Sequence, residues 1–111
     1  MLDNPQAIIL CEFKALNELT AASIMSMGGR AVAIACDVSD PMSVRRAASL
    51  TRSQLGEVDI LVNNAGVMPC RRLLDLSDDE IERTMSINCT AHFWVSLPVH
   101  DDMTSILRCC T

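Results

Sequence analysis

The sequence predicts an α/β fold organised as a doubly wound parallel sheet, and three observations carry that expectation. Three short apolar runs, Ala7 to Cys11 (AIILC), Ala31 to Cys36 (AVAIAC) and Val58 to Val62 (VDILV), have the near-continuous hydrophobic character of strands buried on both faces. They begin about 24 to 28 residues apart with one helical pattern between each pair, which is the spacing of βαβ units. The third run ends abruptly in Asn63-Asn64-Ala65-Gly66. In open α/β sheets the carboxyl ends of the strands are where ligands bind.

The elements follow in order. Met1 to Gln6, with Asp3, Asn4 and Pro5, has loop chemistry. The first strand is Ala7 to Cys11, with Glu12 at its carboxyl end. From Asn17 to Met27 the spacing of Leu19, Ala22, Ser23 and Met27 suits a small-residue helix, with Asn17 as N-cap and Gly28-Gly29 as the stop. The second strand ends in Asp37-Val38. Ser39-Asp40-Pro41 opens a helix with Val44, Ala47, Ala48, Thr51 and Leu55 on one face and Gly56 as its end. The third strand is Val58 to Val62, and Gly66 can take a positive φ where the chain turns. Met68 to Leu76, with Pro69 and Arg71-Arg72, is a connection. Ser77 and Glu80 then have capping-box spacing, with Asp78 and Asp79 where the helix dipole favours acids. Along the helix Ile81, Met85, Asn88 and His92 recur at three- and four-residue intervals, which puts Asn88 on the buried or sheet-facing side. Past Trp94 the pattern fails at Pro98, His100, Asp101 and Asp102. The expected organisation is a domain over 7–95 and an irregular tail over 96–111.

Composition excludes several classes. A chain of 111 residues, half of them hydrophobic and 21% charged, with a net charge of -5, is one domain at most and neither disordered nor a nucleic-acid binder. Cys11, Cys36, Cys70, Cys89, Cys109 and Cys110 have no zinc-ligand spacing, so no metal is implied. No signal peptide is recognisable, and the cysteines read as reduced thiols. The apolar stretch from Ile87 to Val99 is interrupted by Asn88, His92 and Ser96 and is too short to span a bilayer.

A few residues could carry chemistry. An acid at the position of Glu12 accepts hydrogen bonds from ribose hydroxyls in dinucleotide-binding folds and repels a 2′-phosphate; the alternative is a solvated charge at a strand end. Asp37 either accepts from a ligand amino group, with Val38 packed on the ring, or caps the helix that follows, as Ser39 also could. Asn88, an amide on a core-facing stripe, requires a hydrogen-bond partner, whether structural or functional. His92 reads as a polar residue near the helix end, since no paired acid or nucleophile supports it as a base.

Taken together, AIILCE, CDV, VDILVNNAGV and IERTMSINCTAHFW resemble, in order and spacing, the landmarks of a classical short-chain dehydrogenase/reductase from about Ala7 to Trp94. The AHFW ending is similar to the retinol dehydrogenase and 17β-hydroxysteroid dehydrogenase branch. The resemblance implies a partial Rossmann-type doubly wound parallel sheet lacking the first strand and the C-terminal half. It implies that Glu12 contacts ribose, Asp37 and Val38 the adenine, and Asn64, Ala65 and Gly66 the ribose side of the cofactor. Asn88 matches the helix asparagine of the family's Asn-Ser-Tyr-Lys proton relay. NAD(H) is expected over NADP(H) on the strength of Glu12, with weak binding for want of the family's glycine-rich turn. In an intact family member the substrate is a small lipophilic alcohol, ketone or aldehyde of retinoid or steroid type, and the location is cytoplasmic or membrane-associated.

The family's glycine-rich turn belongs upstream of Ala7, and its Ser and Tyr-x-x-x-Lys downstream of Trp94. The chain contains no tyrosine, and its only lysine is Lys14. The chain alone is therefore expected to be catalytically inactive, a piece cut short at both ends. The family strand order, 3-2-1-4-5, sets its first strand between those of Ala7 and Val58, so its loss leaves a gap of roughly 10 Å between strands about 4.8 Å apart. Either the Val58 strand closes onto that of Ala7, or the edges drive self-association or pairing with a full-length relative, for which the Ser77 to Val95 helix offers a face.

Overall fold

The computed structural model describes residues 6–11 and 14–100, and side chains over 16–98. Strands β1 (Gln6–Cys11) and β2 (Arg30–Ala35) pair in parallel, in register from Gln6 with Arg30 to Cys11 with Ala35. Parallel strands need a crossover of a dozen or more residues, and helix α1 (Lys14–Ser26) provides it. Asn17 lies inside that helix and is 3% exposed, so it is a buried member of the helix and not its N-cap. The stop is as expected. Gly28 has φ +84°, its N–H donates to the Met25 carbonyl at 3.0 Å, and the Gly29 N–H donates to the Ile24 carbonyl at 3.0 Å. This is the paired closure in which a left-handed residue satisfies the last helical carbonyls.

Helix α2 (Pro41–Leu55) starts at Asp40, whose carboxylate accepts the N–H groups of Met42 at 2.9 Å and Ser43 at 3.2 Å. Asp40 thus takes the capping role and leaves Asp37 and Ser39 free to bond each other. Val44, Ala47 and Thr51 are the buried face, and Gly56 ends the helix at φ +94°.

The Val58–Val62 run departs most from expectation. It forms no ladder with either strand, and the sheet has the order β1-β2 only. A strand exists by bonding a neighbour's backbone, and neither β1 nor β2 pairs with this run, so it neither closes onto β1 nor acquires strand character. Its side chains show the consequence: Leu61 packs on the core while Ile60 and Val62 are 71% and 73% exposed. The core lies between β2, α2 and the last helix. It comprises Ile34, Cys36, Val38, Val44, Ala47, Ile87, Ala91 and Val95, with Val32, Leu61, Val67 and Trp94 packed against it.

The helical region after Leu76 is continuous but not uniform. Ser77 and Glu80 form the capping box of α3 (Asp78–Met85), a π-turn spans Ser86–Thr90, and α4 (Ala91–His100) follows. A π-turn takes in an extra residue, which moves the core-facing stripe along by one position. Ile87, Ala91 and Val95 face the core, while α3, which precedes the π-turn, buries no residue and leaves Ile81 and Met85 exposed. The helix also passes through Pro98 to His100, beyond the point where the periodicity fails. There Arg52 of α2 donates from Nη2 to the Pro98 carbonyl at 2.9 Å, binding the two helices together. No helix among the described residues is long and apolar enough to cross a membrane.

Candidate functional site

Asn88 is the centre of the site. Its Oδ1 accepts the Val67 N–H at 2.8 Å and its Nδ2 donates to the Val67 carbonyl at 2.8 Å. One side-chain amide thus occupies both backbone groups of one residue, as a paired strand would. It does so from within the π-turn, a distortion common at functional sites. The partner that the pattern demanded is therefore present, but Asn88 is exposed, not buried. Asn63, at the other end of the segment, donates from Nδ2 to Ser96 Oγ at 3.4 Å. Between these ties Asn64, Ala65 and Gly66 are exposed. Gly66 does not have a positive φ; among the described residues only Gly28 and Gly56 do.

Asp37 stands past the end of β2. Its Oδ1 accepts the Ser39 hydroxyl at 2.6 Å and the Ser39 N–H at 2.9 Å, while its own N–H donates to Ser43 Oγ at 3.1 Å. The Ser39 hydroxyl and then the Ser39 amide hold its carboxyl below the ordinary aspartate range, with the Arg83 charge adding to the effect. The residue is exposed and presents a carboxylate ready to accept. Val38 is 7% exposed and part of the core, so its side chain is not open to a ligand. Glu12 lies outside the described residues.

Arg83 of α3 adds a favourable charge to Asp37, and Asn88, five residues on in the π-turn, holds Val67. Sequence reasoning missed the supporting residues Ser43, Arg83 and Ser96, and took Ser39 as an alternative cap where it bonds Asp37. Only Ser39 had a readable signal, since a serine two residues after an aspartate is the spacing of a side-chain-closed turn.

The described residues thus form a parallel α/β unit with an exposed acceptor carboxylate past β2 and an exposed backbone over Asn64 to Gly66. The chain belongs to the short chain dehydrogenase family, whose model matches residues 3–106. Retinol dehydrogenase 10-B of Danio rerio is 54% identical over 61 residues, which make up 55% of this chain and 18% of that protein. A short chain dehydrogenase from Burkholderia cenocepacia, solved in complex with NADP, matches with a TM-score of 0.80 and 35% identity, covering 86% of this chain and 39% of that one. A blue fluorescent protein from a metagenomic library, solved in complex with NADPH, matches with a TM-score of 0.76 and 34% identity, covering 90% and 41%. The chain thus spans about two fifths of these solved structures.

These two complexes overturn the expected preference for NAD(H), because the structural relatives hold the phosphorylated dinucleotide. The expectation rested on one carboxylate, Glu12. A cation near such an acid accommodates a 2′-phosphate, and Lys14 is two residues away.

Proposed function

We propose that the chain is the adenosine-side part of a nicotinamide-dinucleotide site in an oxidoreductase acting on a lipophilic alcohol, ketone or aldehyde of retinoid or steroid type. The observation that carries this reading is the two-bond hold of Asn88 on Val67, which fixes one end of the exposed Asn64 to Gly66 backbone. Asp37 fits the group as an acceptor for an amino or hydroxyl donor, and the open backbone offers a flat ligand a surface. When bound, the nicotinamide ring exchanges hydride with a substrate carbon. The family's proton donor is a tyrosine, and the 111 residues hold none, so the chain by itself does not turn over; its cofactor binding is weak for want of the glycine-rich turn.

Titrating the purified chain with NADPH and following its fluorescence tests this. Saturable binding with a Kd of about 1 mM is expected, with no NADPH produced from NADP and retinol above a heat-killed control. Absence of saturable binding would remove the dinucleotide reading, and turnover would remove the inactivity.

A second reading, a non-enzymatic chain that pairs with a full-length relative, is favoured by the apolar surface of Ile81, Met85, Phe93 and Leu97 on α3 and α4, all exposed. Co-purification with a full-length retinol dehydrogenase is its test, and passage of the two proteins through a column as separate species counts against it.

A further inference from the structure

We propose that the cleft between α2 and α4 binds a small amphipathic monocarboxylate, with Arg45 taking the carboxylate and Trp94, Leu97, Pro41 and Pro98 enclosing the apolar chain. The cleft has a volume of about 330 Å³ and is lined by these five residues, which puts it at the small end of the range for ligand sites. It arises from how the two helices pack. Val44 and Ala47 of α2 share the core with Ala91 and Val95 of α4, and the alanines let the two backbones approach closely. Arg45 follows Val44 and Trp94 precedes Val95, so one large side chain from each helix stands about 100° round from the core residue beside it. Arg52 ties the helices together, donating from Nη2 to the Pro98 carbonyl at 2.9 Å.

The lining suits one negative charge on an apolar body. Pro41, Leu97 and Pro98 bring no polar side-chain atom, and Leu97 is 60% exposed, so a hydrocarbon laid over it leaves water favourably. Trp94 adds a flat, half-buried ring. Arg45 is exposed, and among the described residues its guanidinium makes no ion pair and no hydrogen bond. The charged groups near it in sequence are already engaged. Asp40 accepts the N–H groups of Met42 and Ser43 and stands 4.0 Å from Arg46, and Arg52 holds Pro98. No acidic residue is among those lining the cleft. A guanidinium donates two parallel N–H groups to a carboxylate, whereas a neutral ligand leaves it unanswered. A dianion would bring a second negative charge that no further cation in the lining meets. The cleft shares no residue with Asp37 or with Asn64 to Gly66, so the site stands or falls apart from the dinucleotide reading.

Trp94 is the only tryptophan and the chain has no tyrosine, so its emission reports on the cleft directly. Titrating the purified chain with octanoate is expected to give a saturable change in that emission with a Kd of about 1 mM. Octanamide, with the same apolar chain and no charge, is expected to bind at least about tenfold more weakly. Arg45→Gln should bring octanoate down to the affinity of octanamide while keeping the thermal midpoint of the wild type. Saturating NADPH should leave the octanoate titration unchanged. The indole N–H cross-peak of Trp94 in a 15N correlation spectrum is a second readout, so binding that leaves the emission unchanged is still seen. No saturable response in either readout, equal affinity for octanoate and octanamide, full octanoate affinity in Arg45→Gln, or competition by NADPH overturns the inference. If Arg45→Gln fails to fold, the comparison of octanoate with octanamide on the wild-type chain decides.

Discussion

Asn88 and Val67 are joined by a pair of 2.8 Å hydrogen bonds that run in opposite directions between one side chain and one backbone unit. Each contributes about 1 kcal/mol net, and because Asn88 is exposed, water recovers part of the loss on removal. Asn88→Ala is therefore expected to destabilise the chain by about 1 to 2 kcal/mol in urea denaturation. Asn88→Asp is expected to cost at least as much, since it keeps an acceptor for the N–H but sets a carboxylate against the Val67 carbonyl. A change within experimental error for both variants would show that the segment is held by other contacts.

Gly66 gives a separable case. A Cβ built there meets only Asn88 Oδ1, at 3.6 Å, an ordinary contact, and the backbone is not in the left-handed region. Gly66→Ala should leave the fold intact and stabilise it by about 0.4 to 1 kcal/mol through a stiffer unfolded chain. A higher thermal midpoint checks this, and any loss of NADPH affinity in this variant then reports on the ligand surface and not on misfolding. A lower midpoint would mean that the turn needs glycine.

Asp37 makes stability depend on acid. Its carboxyl is held below the ordinary range by the Ser39 hydroxyl and amide, so the folded state favours the ionised form. That contribution is fully present above the ordinary aspartate pKa of about 3.9 and is lost as pH falls below it through the depressed folded value. Asp37→Asn should flatten the decline in stability over that acid window relative to the wild type. Superimposable stability-pH curves would contradict the assignment.

The thiols should sort by burial. Cys36 is 3% exposed, and burial pushes its thiol above the usual cysteine range despite the Ser43 hydroxyl, 3.8 Å away. Cys70 and Cys89 are exposed and free. Iodoacetamide at neutral pH is expected to alkylate Cys70 and Cys89 in the folded chain and Cys36 only after denaturation, as mapped by peptide mass spectrometry. Early labelling of Cys36 would mean that the core opens readily.

The exposed run should govern association. Ile60 and Val62 lie in water beside an unpaired backbone, the arrangement that natural strand edges avoid with charges. Ile60→Lys combined with Val62→Lys should change stability by under about 0.5 kcal/mol per site and shift sedimentation towards monomer. Loss of cooperative unfolding would instead place these side chains in the core.

Most of what could be read from the residues alone depends on local chemistry, although the cap expected at Asn17 and the positive φ expected at Gly66 failed. Gly28-Gly29 as a stop, Pro41 and Gly56 as the bounds of α2, and the Ser77 and Glu80 capping box all depend on groups within a few residues, and all stand in the structure. The strand character of Val58 to Val62 depends on a neighbour elsewhere in the chain, which no local pattern can supply. The buried stripe of the long helix was misplaced for a related reason. Counting 81, 85, 88 and 92 assumes a uniform turn, and nothing in Ser86-Ile87-Asn88-Cys89-Thr90 announces the wider one. At the site, Asn88 and Asp37 were visible because an amide or carboxylate in those places requires a partner. Arg83 and Ser96 were not, because an arginine or serine on a helix surface requires none.

The wide turn at Ser86–Thr90 bears on which changes in length the chain tolerates. Five residues in the wide turn cover about the rotation of four regular ones, so losing one here lets the helix close into regular turns with Ala91 and Val95 still on the core. Gaining one has the opposite result: everything after it swings by about 100°, taking Ala91 and Val95 out of the core and Ser96 away from Asn63. The helix therefore tolerates at this point a shortening that a regular helix would not.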